Sequence, residues 1–270
     1  MLRPYSLSFV VPLTLVVLLV ASGCSSEPDS LAARSESGEP LELVLYGDSL
    51  LTFPEPNRGA IDAYIEMLEE DFGVHVNVQL PGMGPCCSPP VIAEYLTSEQ
   101  AESELEGADV VIVESPLSGL AYWVATVAGI EGLDPADCGG DDNQQCLRDS
   151  LAEYKDGVTE IFSLLTEAVD PSETLIRAVD GYALMVEHQF AADTLQVTNP
   201  YWQEAQEFFA ATAAEYGIPT ASMFTEFNGP DGTDDPQDRG LIATDKVHPS
   251  EAGALIIAEL IHDLGYDFAN

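Results

Sequence analysis

The chain has 270 residues, 46% of them hydrophobic, and carries 47 acidic residues against 8 basic ones, for a formal net charge of −39. That length suits one sizeable domain, and so negative a surface repels phosphate backbones and anionic headgroups, which argues against nucleic acid as a partner. Two readings of the charge stay open: adaptation to high salt, where a carboxylate-rich surface stays hydrated, or a lineage with acid-biased surfaces.

Residues 1–23 read as an export signal. Arg3 supplies a positive n-region, Phe9 to Val20 an apolar h-region, and Ala21-Ser22-Gly23 a small-residue cleavage site directly before Cys24. The stretch resembles a lipoprotein signal peptide with its lipobox, which implies cleavage before Cys24 and a lipid on that cysteine. Ala21 stands where that pattern prefers Leu, so an ordinary secretory signal is the alternative. The apolar run is shorter than the ~20 residues a membrane-spanning helix needs. Ser25 to Pro40, rich in Ser, Glu, Pro and Ala, reads as a flexible tether. The expected organisation is a signal peptide over 1–23, a lipidated N-terminus and tether over 24–40, and one folded domain over 41–270. The expected place is the cell surface, as a monomer held to the membrane by the lipid; release as a secreted protein is the alternative.

Export shapes the reading of the other cysteines. Cys86, Cys87, Cys138 and Cys146 are an even number in an oxidising compartment, which suggests disulfides. Cys138 and Cys146 bracket a Gly-Asp-Asp-Asn loop and could close it locally; Cys86 and Cys87 could pair with each other, or each could cross to the other loop. All three pairings stay open. Adjacent cysteines do not fit the spacing of zinc ligands. The carboxylate-dense loops at Asp134–Asp137 and Asp231–Asp238 lack the Asp-x-Asp-x-Asp-Gly spacing of calcium sites and read as solvated turns. No metal or cofactor is expected.

From Leu41 onward, apolar runs of strand length alternate with amphipathic stretches. Leu43–Tyr46 is the first expected strand. Arg58–Glu70 has helical spacing through Ile61, Tyr64, Met67 and Leu68, with Gly73 as its stop. Val74–Leu80 is the second strand, and Pro90–Leu105 a helix with a break near Thr97-Ser98. Asp109–Glu114, Val-Val-Ile-Val between two acids, is the clearest strand and of the buried parallel type. Ser115–Gly132 carries no clear pattern. Cys146–Val169 is a long helix, Thr174–Val179 a fourth strand, Tyr201–Tyr216 a helix preceded by Pro200, and Pro219–Phe224 a fifth strand. The last helix runs from Ser250, an N-cap, to Leu264. About five mostly parallel strands alternating with helices imply an α/β fold, a three-layer α/β/α sandwich. No glycine-rich phosphate loop follows the first strand.

The first strand ends in Gly47-Asp48-Ser49-Leu50, which delivers a serine to the sheet edge where open α/β sheets bind ligands. A serine there needs a base. His75 reads as an exposed strand residue, His262 as a cation suited to a helix C-terminus, and His188 lies in an undefined stretch. His248 stands in Thr244-Asp245-Lys246-Val247-His248-Pro249-Ser250, where Pro249 restricts it to extended backbone and Asp245 can turn back to its Nδ1–H.

Gly47-Asp48-Ser49-Leu50 near one end and Asp245-x-x-His248-Pro249 near the other together resemble the GDSL, or SGNH, hydrolase family, over Leu41 to the end of the chain. The resemblance implies a flavodoxin-like SGNH hydrolase fold and a serine ester hydrolase working through an acyl-enzyme. It implies Ser49 as nucleophile, His248 as general base and Asp245 as its orienting partner. The Ser49 N–H would be one oxyanion donor and the N–H of Gly84 a second, with Gly82 the fallback. The family's asparagine donor after the third strand is missing: the loop reads Glu114-Ser115-Pro116-Leu117-Ser118-Gly119, and Ser118 is the nearest polar match. Asn199 is another candidate. The expected substrate is a small-molecule, lipid or carbohydrate ester. The alternatives are a non-catalytic glycan- or lipid-binding lipoprotein on the same fold, and a carbohydrate O-acetylesterase.

Overall fold

The computed structural model describes residues 31–53, 59–81, 88–115, 117–130 and 132–268, without the side chains of Ser118 and His188. In chain order the elements are α1 (Leu31–Ser35), β1 (Leu41–Tyr46), α2 (Ser49–Thr52), α3 (Gly59–Phe72), β2 (Val76–Gln79), α4 (Pro89–Leu96), α5 (Glu99–Leu105), β3 (Val110–Glu114) and α6 (Ser118–Val127). A short 3₁₀ turn, Pro135–Cys138, follows. Then come α7 (Gln145–Ala168), β4 (Leu175–Val179), α8 (Val186–Ala191), α9 (Leu195–Glu215), β5 (Thr220–Ala221), α10 (Met223–Asn228) and α11 (Glu251–His262).

All five strands are parallel and lie in the order β2-β1-β3-β4-β5. Alternation along the strands sends side chains to two separate cores. Val44, Tyr46, Val111, Val113, Ile176 and Ala178 face one side, against α4 to α9. Leu43, Leu45, Val110, Ile112, Leu175 and Val179 face the other, against α1, α2, α3, α10 and α11. Both faces are covered, as parallel sheets require, so β3 is buried at every residue. This is the α/β/α sandwich expected. The chain steps outward from β1 to β2 and then crosses back to β3, so the order reverses between β1 and β3 and opens a crevice at their C-terminal ends.

Several expectations need correction. The tether does not extend to Pro40: residues 31–35 are helical, Leu31 is fully buried, and Arg34 donates to Asp109 Oδ1 at 2.7 Å. The unpatterned Ser115–Gly132 stretch contains α6. The fifth strand is only Thr220–Ala221, because the Ser222 hydroxyl accepts from Thr225 N–H and starts α10. Pro200 lies inside α9, which begins at Leu195. The break near Thr97-Ser98 is present: Ser98 caps α5 by accepting from Ala101 N–H. Cys138 and Cys146 are joined in a disulfide, whereas Cys86, Cys87 and Cys24 lie outside the described residues. No helix among the described residues is long and apolar enough to cross a membrane.

Candidate active site

The β1–β3 register sets the first half of the site. Tyr46 pairs with Val113, so Gly47 leaves β1 alongside Glu114. A Cβ on Gly47 would lie 2.5 Å from Glu114 Oε2, so only glycine permits this approach. The Asp48 side chain then accepts from Leu50 N–H at 2.8 Å and caps α2, with Ser49 as its first residue. Ser49 Oγ therefore projects from a helix start at the β1 edge. Among the described residues, no protein acceptor is recorded for the Ser49 N–H.

The second half comes from the loop before α11. Asp245 Oδ1 accepts from the N–H groups of both Val247 and His248 at 3.0 Å, and Lys246 between them takes a positive φ of 65° to close the turn. Ala243 N–H donates to His248 O at 2.8 Å, and the Tyr182 hydroxyl donates to Val247 O at 2.6 Å. Ser250 caps α11 by accepting from Gly253 N–H. These bonds leave the imidazole as the loop's projecting group.

The two halves meet. His248 Nδ1 is 2.8 Å from Asp245 Oδ2, and His248 Nε2 is 2.8 Å from Ser49 Oγ, across 199 positions of sequence. The Phe53 ring stacks on the imidazole at 4.0 Å and 23°, which fixes its plane from the other side. Partial burial opposes ionisation of Asp245, but the bonds from Val247 N–H and from the ring and N–H of His248 outweigh it and hold the carboxyl below its ordinary value. An ionised Asp245 accepts from Nδ1–H, which leaves Nε2 free to take a proton from Ser49. A cavity of about 260 Å³ opens at Ser49, lined by Leu45, Gly47, Asp48, Thr52, Leu80 and Pro81. A larger one, about 620 Å³ at Arg148, Lys155 and Tyr201, touches none of the three.

The other expected residues fare differently. Gly84 and Gly82 lie outside the described residues. Ser118 begins α6, but its side chain is not described. Asn199 is not free to donate into the site: its amide holds Asp231 O at 2.8 Å. His75 bonds Glu69 Oε1 at 2.6 Å, and His262 bonds Asp71 Oδ2 at 2.9 Å, so both are engaged elsewhere. No group of three or more His, Cys, Asp or Glu among the described residues is arranged to hold a metal ion. Phe53 and Glu114 escaped the reading of the sequence. Glu114 left a signal, an acid closing an otherwise apolar buried strand; Phe53 left none.

Neither a family model nor a curated protein matches the sequence. Solved structures do resemble the fold. The lipase Lip_vut3 from a goat rumen metagenome aligns at TM-score 0.63 and 14% identity, over 85% of this chain and 100% of that one. An extracellular lipase from Streptomyces rimosus aligns at TM-score 0.54 and 12% identity, over 82% and 99%. A protein described as a GDSL-like lipase, from Parabacteroides merdae, aligns at TM-score 0.52 and 13% identity, over 83% and 95%. At such low identity the likeness speaks to architecture, and it extends over almost the whole of each of these proteins: the chain shares the fold of these lipases.

Proposed function

We propose that the chain is a serine ester hydrolase acting outside the cytoplasm. The observation that carries this reading is the linear run Ser49 Oγ, His248 Nε2, His248 Nδ1, Asp245 Oδ2, with 2.8 Å at each hydrogen bond. Ser49 Oγ attacks the acyl carbon while His248 Nε2 takes its proton. The Ser49 N–H and the Gly84 N–H, aided by Ser118, hold the oxyanion. The imidazolium, stabilised by Asp245, then protonates the leaving alcohol, and an acyl-enzyme remains on Ser49. Water enters, gives its proton to His248, and releases the acid and the free serine. The cavity beside Ser49, with Leu80 40% exposed at its edge, suits an apolar acyl group.

Location follows from the N-terminus. Residues 1–23 direct export, and Cys24 carries a lipid that holds the domain at the membrane surface. The Cys138–Cys146 bond supports an oxidising compartment. Membrane fractionation and intact-mass measurement of the protein and of Cys24→Ser test the anchor; equal release of both into the medium excludes it.

The activity is tested by hydrolysis of short-chain nitrophenyl esters by the full chain and by Ser49→Ala. The variant loses about 10⁴-fold or more in kcat, the scale seen when such a nucleophile is removed. Equal rates for the two proteins would exclude the assignment.

A further inference from the structure

Beneath the nucleophile lies a second carboxyl that the reaction above does not use. Glu114 ends β3 with 0% exposure. Its Oε2 accepts from Asp48 N–H at 2.7 Å, and its Oε1 has no hydrogen-bond partner among the described residues. Asp48, whose Oδ1 already accepts from Leu50 N–H, is thus tied to Glu114 through its backbone, and the charge of its carboxylate acts on Glu114. Two ionised carboxylates cannot share such a place without a cation. Among the described residues, the ionisable groups that act on or feel Glu114 are Asp48 on the α2 turn, Tyr154 on α7 and Tyr182 after β4, none of them cationic. A single proton held between the two carboxyls removes one of the two charges.

We propose that Glu114, sharing one proton with Asp48, is a positioning residue that fixes the Gly47–Ser49 turn and so aims Ser49 Oγ and N–H. The role rests on the serine hydrolase reading above. Glu114 grips the turn from below in two ways: it accepts the Asp48 N–H, and it packs against the bare Cα of Gly47. Burial, and next the charge of Asp48, push the Glu114 carboxyl well above its ordinary value. When the proton leaves as pH rises, two carboxylates repel beneath Ser49 and the turn is displaced.

The test compares Glu114→Leu and Glu114→Gln in the full chain. Glutamine keeps an acceptor for Asp48 N–H and a donor for the Asp48 carboxylate; leucine has neither. Leaving the half-buried Asp48 N–H unpaired predicts that Glu114→Leu loses about 10–100-fold in kcat with KM within a few-fold. Glu114→Gln recovers most of that loss, and its rate stays flat where the wild-type rate falls with rising pH. In the infrared difference spectrum of wild type minus Glu114→Gln, where the contribution of Asp180 cancels, a neutral carboxylic acid band reports the shared proton without reference to turnover. Three results overturn the role: Glu114→Leu matching the wild type in kcat, Glu114→Gln failing to restore activity, or the infrared band missing. Should Glu114→Leu not fold, Glu114→Gln, with its pH profile and the infrared band, decides alone. Ser49→Ala separates the two ideas. If it is as active as the wild type, the hydrolase reading falls and this role with it. If Ser49→Ala is dead while Glu114→Leu behaves as wild type, only the role of Glu114 falls.

Discussion

Replacing Asp245 by asparagine should harm the enzyme more than replacing it by alanine. Asp245 Oδ1 accepts two backbone N–H groups, from Val247 and His248, while Oδ2 faces His248 Nδ1. An asparagine must therefore keep its carbonyl oxygen under the two backbone donors and turn its NH₂ toward the ring. Nδ1 is then an acceptor, the proton moves to Nε2, and Nε2–H points at Ser49 Oγ, where a base is needed. Alanine removes the charge but leaves water to accept from Nδ1–H, so the productive tautomer survives. The electrostatic part is bounded by exposure. The imidazole is 21% and the Asp245 carboxylate 37% exposed. A pair at such a distance is worth about 1 kcal/mol in water and about 4 kcal/mol in a partly dry site. The two limits correspond to about 5-fold and about 10³-fold, and the partial exposure of both groups places Asp245→Ala between them, at about 10–10²-fold in kcat/KM. The wrong tautomer should take Asp245→Asn to about 10³-fold, short of the ~10⁴-fold known for a buried aspartate in this role. The assay is kcat/KM on a nitrophenyl ester from pH 5 to 9 for all three proteins, with melting curves to confirm folding. Asp245→Asn at or above Asp245→Ala would refute the tautomer argument.

Four further perturbations follow from the structure. Gly47→Ala places a Cβ 2.5 Å from Glu114 Oε2 and 2.8 Å from Glu114 Cβ, so melting temperature and kcat should both fall; a variant with wild-type values for both contradicts the packing. Asp180, 2% exposed, has its carboxyl pushed up to about 7 by burial, against the opposing bonds from Phe224 N–H and the Ser222 hydroxyl. Its folded value is thus raised above the unfolded one: the neutral acid supports folding below about pH 4, and that support is lost as pH rises to about 7. Melting temperatures of Asp180→Asn should overtake the wild type across that window, and parallel curves would exclude the shift. Opening the Cys138–Cys146 loop with Cys138→Ser and Cys146→Ser together should reduce stability by about 2.5 kcal/mol from loop-closure entropy, read by urea titration; an unchanged midpoint contradicts it. The −39 charge predicts a melting temperature that rises from low to molar salt, with a flat response counting against salt adaptation.

What could be read from the sequence was local. Val110–Val113 announces a buried strand because four successive apolar residues between acids fit little else. Ser49 and the Asp245–His248 pair were legible because each motif is set by neighbours in the chain: a strand end, a cap, a proline. The misreadings have equally local causes. Pro219–Phe224 looks like a strand until the Ser222 hydroxyl is seen to cap Thr225 N–H and turn the chain into α10. Pro200 marked a helix start by rule, yet α9 begins five residues earlier, since an interior proline removes a single backbone donor. Leu31 and Arg34 looked like tether because their composition hides one buried leucine and one ion pair with Asp109. Glu114 was beyond reach for a different reason. Its contact with Gly47 and Asp48 exists only because the β1–β3 register pairs Tyr46 with Val113, a fact of the sheet and not of either strand.

The central claim is that Ser49 is an activated nucleophile because His248 accepts its proton. A fluorophosphonate probe applied to the full chain at neutral pH, followed by peptide mass mapping, tests it most directly. The account predicts one adduct per chain, on Ser49, absent from Ser49→Ala and formed far more slowly by His248→Ala. A folded wild type that takes no label, or takes it on another serine, would contradict it.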